Sequence, residues 1–359
     1  MKAAQYFGRG DVRVVHIPKP VPKDHEAVVA VEWCGLCGSD LYEYLHGPLS
    51  CPTTDHPNRT TGETLPVTMG HECCGRIVSA PADSGLRQGQ PVMVDPRIYC
   101  DKCSRCSSGD THGCYSLGFK GLSGTGGGFS EEVAVDAKLC YPLPDSMDLG
   151  LAALIEPLAV AWHAAALCEV HDWTNKSVLI LGGGPVGIAS IFVLRTYGCK
   201  NIFVSEPTST RAAQNKKIAD DVFSPIADNI GEKCRERTGG EGVDVVFDCA
   251  GVQKGMDAGF DALRFKGLYM NVATWSSPMV VPFWLFITKE ITTKCSLAYT
   301  DKDFKDTIDA FVECKFQALE NMVSSRIHLD DISEKGFEEL VNNRDRHIKI
   351  LITPDRSKV

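Results

Sequence analysis

The stretch Val178-Leu179-Ile180-Leu181 runs directly into Gly182-Gly183-Gly184-Pro185-Val186-Gly187, and a helix-compatible stretch follows to Tyr197. An unbroken apolar run of this length reads as a strand buried on both faces, as in a parallel sheet. In a chain with 33 glycines, G-x-G-x-x-G alone says little. Between a strand and a helix it says much more, because it is then a turn that can receive a pyrophosphate. Gly182 permits the tight turn, Gly184 lets a phosphate approach the backbone, and Gly187 lets helix and strand pack closely. Pro185 suits a first helical turn, where its missing N–H costs nothing. The free N–H groups and the positive helix end then favour an anion.

Glu206 ends the next apolar strand, Ile202 to Ser205. A carboxylate about 20 residues beyond the turn can accept hydrogen bonds from a ribose diol and repels a 2′-phosphate. The expectation is NAD(H) in preference to NADP(H). Arg211 stands against that preference, since a mobile guanidinium can accommodate a phosphate.

The chain changes character along its 359 residues, a length that suggests two domains. Up to about Leu158 it is rich in Gly, Pro and Cys with short β-like runs, at Ala27 to Glu32, Arg76 to Ser79 and Pro91 to Val94. From Val178, strands alternate with helical segments, and Val243 to Phe247 and Leu268 to Val272 are the next strands. A helical segment at Asp303 to Glu313 and a last strand at Ile348 to Ile352 close the sequence. The alternating part reads as a parallel sheet covered on both faces. A net charge of −9 excludes nucleic acid or an anionic membrane as the main partner. No stretch reaches the roughly 18–20 apolar residues that span a bilayer. Met1 to Val15 carries no apolar run of signal-peptide length. The expectation is a cytoplasmic, reducing compartment, in which clustered cysteines serve as metal ligands or catalytic groups.

There are 16 cysteines, and four of them are clustered. Cys100, Cys103, Cys106 and Cys114 alternate with polar loop residues. Intervals of three let a turn present successive thiolates to one ion, and the fourth closes a tetrahedron. Four thiolates leave no open position, so the site is structural, and zinc is the expected ion. The alternatives are a pair of disulfides, which a reducing compartment disfavours, and an iron–sulfur cluster, which four cysteines can also hold.

A second set is mixed. Cys37 lies in Cys34-Gly35-Leu36-Cys37-Gly38-Ser39-Asp40, His71 and Glu72 in Gly70-His71-Glu72, and Glu156 in Glu156-Pro157-Leu158-Ala159. One thiolate, one imidazole and one or two carboxylates can hold zinc while leaving a position for substrate. Singly, such residues are more often ordinary core or surface groups. The metal reading rests on their co-occurrence with the four cysteines and the glycine turn.

These motifs, together with Leu117-Gly118-Phe119-Lys120-Gly121-Leu122-Ser123-Gly124, Val160-Ala161-Trp162-His163 and His347-Ile348-Lys349-Ile350-Leu351, resemble the zinc-dependent medium-chain dehydrogenase/reductase (alcohol dehydrogenase) family. The resemblance covers essentially the whole chain and is strongest to the (R,R)-butanediol dehydrogenase / sorbitol dehydrogenase branch. It implies an α/β Rossmann domain (a doubly wound parallel sheet, residues 159–297) inserted into a β-rich, partly open GroES-like barrel (residues 1–158 and 298–359). It implies one structural zinc on Cys100, Cys103, Cys106 and Cys114. It also implies one catalytic zinc on Cys37 and His71, with Glu72 or Glu156 as third ligand. Asp40 would orient His71, and Ser39 would pass the substrate proton toward the cofactor ribose. The implied reaction interconverts a secondary alcohol, such as a vicinal diol of the butanediol type, and a ketone with NAD(H). A homodimer or homotetramer is implied as well. The alternatives are a sorbitol- or xylitol-type polyol dehydrogenase, a diverged biosynthetic-pathway dehydrogenase, and a non-catalytic relative. Tyr42 stands where the branch usually has a relay histidine, with His46 and His56 nearby in sequence. Cys73, Cys74, Pro81, Gln90-Pro91 and Cys295 also depart from the branch.

Overall fold

A computed structural model describes residues 1–359. The chain divides into two compact units, residues 1–156 with 323–359, and residues 157–322. The return to the first unit falls at Val323, after the helix Asp301–Val312.

The first unit is built around a seven-stranded sheet. Its order is Cys140–Pro142, Pro91–Val94, Glu72–Ser79, Glu26–Leu36, Lys349–Thr353 and Val323–His328, with Glu132–Asp136 also pairing with Glu26–Leu36. The strand Glu26–Leu36 is the organiser. Its first half pairs with Glu132–Asp136 and its last residues with Lys349–Thr353. Register shifts at Val28/Val29 and Val31/Trp33, against Glu72–Ser79, mark the bends that this change of partner requires. Alternating residues such as Val29, Val31, Ile77, Val92, Val133 and Ile350 fill the core. A three-stranded sheet, Asp11–His16, Lys2–Gly8 and Val67–Thr68, and a two-stranded ribbon, Arg97–Ile98 with Gly118–Phe119, complete the unit.

The second unit is one parallel sheet of six strands. The spatial order is Asp221–Phe223, Asn201–Ser205, Ser177–Leu181, Val243–Asp248, Leu263–Asn271 and Thr292–Cys295. In chain order this is 3-2-1-4-5-6, the arrangement of a dinucleotide-binding sheet, with its switch point beside Ser177–Leu181. That strand is buried at every position, as its composition requires. The two outer strands escaped the sequence reading, because Asp221–Phe223 is three residues long and Thr292–Cys295 is polar and largely exposed. The apolar run beginning at Val280 is not a core element. Its helix, Phe283–Lys289, has no buried residue, and Val280, Phe283, Trp284 and Ile287 are exposed. The helix Asp301–Val312 starts with a capping box between Thr300 and Asp303. No helix is long and apolar enough to cross a membrane.

Candidate active site

The cysteine loop is local, and its geometry is closed. Sulfur–sulfur distances are 3.5 Å for Cys103–Cys106, 3.6 Å for Cys100–Cys114, 3.9 Å for Cys103–Cys114 and 4.0 Å for Cys100–Cys106. A zinc–sulfur bond of about 2.3 Å gives a tetrahedron with edges of about 3.8 Å. A disulfide would need about 2.05 Å. The loop therefore fits a tetrahedral ion and excludes bridging. Backbone N–H groups of Cys106 and Tyr115 pull the Cys103 thiol down to about 6, toward the thiolate a metal needs. All 16 cysteines are free thiols, and most of those outside the metal-type clusters are buried.

The glycine turn lies at the carboxyl end of Ser177–Leu181. Gly182 has φ +91°, a conformation that L side chains rarely adopt. Gly187 faces the Gly182 carbonyl so closely that any Cβ would collide with it. Pro185 opens the helix Pro185–Thr196 with Gly184 as its N-cap. Glu206 is buried next to the turn. Its Oε2 accepts from the Gly183 N–H at 2.8 Å, and its Oε1 accepts from the Thr208 N–H and hydroxyl at 2.9 and 2.8 Å. The carboxylate is thus held by three donors of its own chain, and its remaining lone pairs are what a ribose could use. Arg211 approaches Gly184, with Nη1 3.6 Å from where a Cβ would sit. Thr208 and Asn215 were not foreseen. Asn215 Nδ2 donates to the carbonyls of Gly183 and Arg211 at 2.9 and 2.8 Å, tying the turn to the next helix. Thr208 precedes and Asn215 ends the helix Ser209–Asn215, and neither falls in a motif that points to the turn.

The mixed set assembles from distant segments of the first unit. Cys37 is the N-cap of the helix Gly38–His46, and its N–H donates to Asp40 Oδ2 at 3.0 Å. His71 precedes, and Glu72 opens, the strand Glu72–Ser79, which pairs with the end of Glu26–Leu36. This brings the ligand atoms of Cys37, His71 and Glu72 within 4.8 Å of one another. Asp40, fully buried, faces His71 Nδ1 across 3.5 Å. Ser39 Oγ lies 3.3 Å from His71 Nε2. The Phe119 ring stands edge-on to the imidazole at 6.4 Å.

The charges at this group call for a cation. Burial opposes a protonated His71, yet Asp40 and Cys37 outweigh it and raise the imidazole well above its ordinary value. Groups that favour positive charge on the imidazole also suit a metal ion. Asp40 Oδ1 and His71 Nδ1 are buried and make no normal hydrogen bond, so on that side the imidazole is held by charge across 3.5 Å. The donor set of thiolate, imidazole and carboxylate fits zinc.

Glu156 is buried but lies outside the three-residue group. It acts on Lys349 through charge. Lys349 is the main site residue that sequence reasoning missed. It sits in the wholly buried strand Lys349–Thr353, and its ammonium donates to both oxygens of Glu72 at 2.6 and 2.7 Å. Burial works against its charge, but Glu72 and then Cys37 outweigh burial and keep it protonated. The available signal was a single charge inside an otherwise apolar closing strand. Tyr42 is exposed, and its ring lies 4.8 Å from that of His46, four residues along the same helix.

Residues 23–145 match the alcohol dehydrogenase GroES-like domain, and residues 185–313 match the zinc-binding dehydrogenase domain. The chain is 35% identical to the (R,R)-butanediol dehydrogenase of Neisseria gonorrhoeae over 359 residues, which is 99% of this chain and 100% of that one. It is 34% identical to the (R,R)-butanediol dehydrogenase of Saccharomyces cerevisiae over 383 residues, 99% and 98% of the two chains. The crystal structure of 2R,3R-butanediol dehydrogenase from Bacillus subtilis matches with a TM-score of 0.91 at 32% identity, covering 99% of both chains. The chain therefore belongs to the zinc-dependent alcohol dehydrogenase family. Its architecture is that family's GroES-like domain with a Rossmann-type domain, and its activity class is that of a zinc-dependent alcohol dehydrogenase.

Proposed function

We propose that the chain interconverts a vicinal diol of the butanediol type and the corresponding hydroxyketone, using NAD(H). The observation that carries this reading is the clustering of Cys37, His71 and Glu72 within 4.8 Å, with Ser39 beside His71. The same chain carries a dinucleotide turn with an acidic residue beyond it. The names of the full-length relatives supply the substrate class.

In this reading, residues 1–156 with 323–359 carry the metal chemistry, and residues 157–322 bind the nucleotide. Cys37, His71 and Glu72 would hold the catalytic zinc, with Glu156 as the alternative carboxylate. Cys100, Cys103, Cys106 and Cys114 would hold the structural one. Zinc, when bound, supplies a Lewis acid that acidifies an alcohol and polarises a ketone, and the nicotinamide supplies or accepts the hydride. Asp40 fixes the orientation of His71 through Nδ1, leaving Nε2 for coordination. Ser39 Oγ takes the proton of the substrate hydroxyl and passes it outward. The Gly183 N–H and Thr208 fix Glu206 so that its free lone pairs meet a ribose diol. Gly184 leaves the space for the pyrophosphate, and Arg211 lies on that side of the turn.

The chain works as a homo-oligomer, a dimer in the simplest case. Support comes from the exposed Val280, Phe283, Trp284 and Ile287, and from the strand Thr292–Cys295 at the end of the sheet order. Its 16 unbridged thiols suit a reducing cytoplasm.

The deciding experiment is a nicotinamide-absorbance screen of vicinal diols, polyols and hydroxyketones with NAD and NADP, alongside metal analysis. Two zinc ions per chain and fastest turnover of a vicinal diol with NAD are expected. Fastest turnover of a hexitol or pentitol would replace the substrate class. One zinc or none per chain would remove the catalytic site.

A further inference from the structure

The buried ammonium of Lys349 has no part in the reaction just described. Its surroundings are built from three adjacent strands. Gly35 pairs with Glu72 on one side and with Leu351 on the other. Because Gly35 has no Cβ, the sheet leaves room there. A Cβ would collide with Glu72 Oε2 and lie 3.2 Å from Lys349 Cδ. Lys349 spends two protons on Glu72, at 2.6 and 2.7 Å, and its Nζ lies 3.4 Å from the carbonyl of Leu36, the residue before Cys37. The carboxylate it holds is the one that lies with Cys37 and His71. Lys349 and Glu72 are both essentially inaccessible to water, so solvent cannot screen the pair.

The charge balance at the centre depends on this pair. A thiolate and a free carboxylate would cancel a divalent ion. With the ammonium in contact, the group is one unit more positive than it would be without Lys349, which offsets one of the surrounding carboxylates Glu72, Asp40 and Glu156. A positive centre favours negative charge developing on a substrate oxygen, and a neutral one favours it less.

We propose that Lys349 is a positioning residue that competes with the metal for the Glu72 carboxylate, keeping Glu72 a weak ligand and the centre more positive than the thiolate and carboxylates alone would leave it. The inference rests on the zinc reading of Cys37, His71 and Glu72.

The test is metal affinity at this site, measured by chelator competition on apo-protein reloaded with zinc, and the visible spectrum of the cobalt-substituted protein. Lys349→Met should bind the metal about 10-fold more tightly, the size of effect typical for partners of metal ligands. Its cobalt spectrum should shift as Glu72 coordinates fully, and its kcat should fall while KM holds. Lys349→Arg should keep wild-type affinity and spectrum. Lys349→Gln, which retains a donor without the charge, should move both readouts in the same direction as Met and serves if the Met variant does not fold. In a Glu72→Gln background, replacing Lys349 should leave affinity unchanged, because the two act as one unit. Wild-type affinity and spectrum in the Met or Gln variant would overturn the proposal. So would an equal effect of replacing Lys349 with or without Glu72. A wild-type protein that takes up metal only at the four cysteines would instead overturn the zinc reading itself.

Discussion

The two metal-type clusters of this molecule are built in opposite ways. The four cysteines lie within one loop, carry like groups, are mostly only half-buried, and form a closed tetrahedral outline. The Cys37, His71 and Glu72 group is gathered from separate strands and a helix start, is mostly buried, and carries its own counter-cation from residue 349. A closed site needs only enough spacing and thiolate character to fold around an ion. An open site must be held together by something other than the ion, and here sheet register and charge do that.

The comparison breaks most easily at the closed site. Cys103→Ser should remove one zinc per chain and lower stability by about 4 kcal/mol or more, since structural zinc binding is folding free energy. That corresponds to a fall in Tm of roughly 10 °C for a unit of this size. Two zinc ions and an unchanged melting curve would mean the loop is not a structural site. At the open site the loss should appear in chemistry. His71→Ala should cut kcat by about 10³-fold, as expected when several kcal/mol of charge stabilisation is lost. NAD affinity, read by fluorescence titration, should stay within about twofold, because the proposed nucleotide site is the Gly182–Gly187 turn and Glu206, not His71. Unaltered turnover would remove His71 from the site.

The nucleotide turn sits between the two cases, local in its glycines and non-local in its acid. Glu206→Ala should lower the NAD-to-NADP ratio of kcat/KM by about 10-fold, which is about 1.4 kcal/mol of discrimination. An unchanged ratio would leave Glu206 as a brace for Gly183 and Thr208 and nothing more.

The smallest effect sharpens the contrast between two histidines. His163 Nδ1 meets Asp303 at 2.7 Å, a closed and fully partnered pair, whereas His71 faces Asp40 at 3.5 Å. Burial would raise the Asp303 pKa, but hydrogen bonds from His163 and Thr300 outweigh it and hold the carboxyl below its ordinary value. A depressed folded-state pKa adds stability above the unfolded value of about 3.9, and that stability is lost as pH falls through the folded value. Asp303→Asn should therefore lower Tm by a few degrees at pH 7, with the difference closing below about pH 4 and kcat unaffected. A Tm difference that persists into acid would show packing, not charge, at work.

What was legible follows the same division. The Cys100–Cys114 loop and the Gly182–Gly187 turn could be read because ligand spacing and turn chemistry are local properties. The strands Ser177–Leu181 and Val243–Asp248 could be read because burial on both faces leaves continuous apolar runs. Cys37, His71 and Glu72 were legible as residue types, but their meeting depends on strand pairing. The partner of Glu72 lies 277 residues away, and no spacing rule spans that distance. Thr292–Cys295 was illegible because an exposed edge strand carries no apolar pattern. In Phe283–Lys289, Leu285 and Phe286 pack on the core while Phe283, Trp284 and Ile287 are exposed, a division no apolar count shows.

The strand Glu26–Leu36 has a consequence for how the molecule is made. Its consecutive residues Cys34 and Gly35 face fixed partners on both neighbouring strands, and Leu36 faces Ile350 on one of them. A slip of one residue would turn every side chain to the opposite face and replace Gly35 with a residue that blocks the Glu72 carboxylate. Such a chain would still look like a barrel but could not gather Cys37, His71 and Glu72. A metal ion bound at that centre would therefore stabilise only chains whose sheet has closed in the correct register.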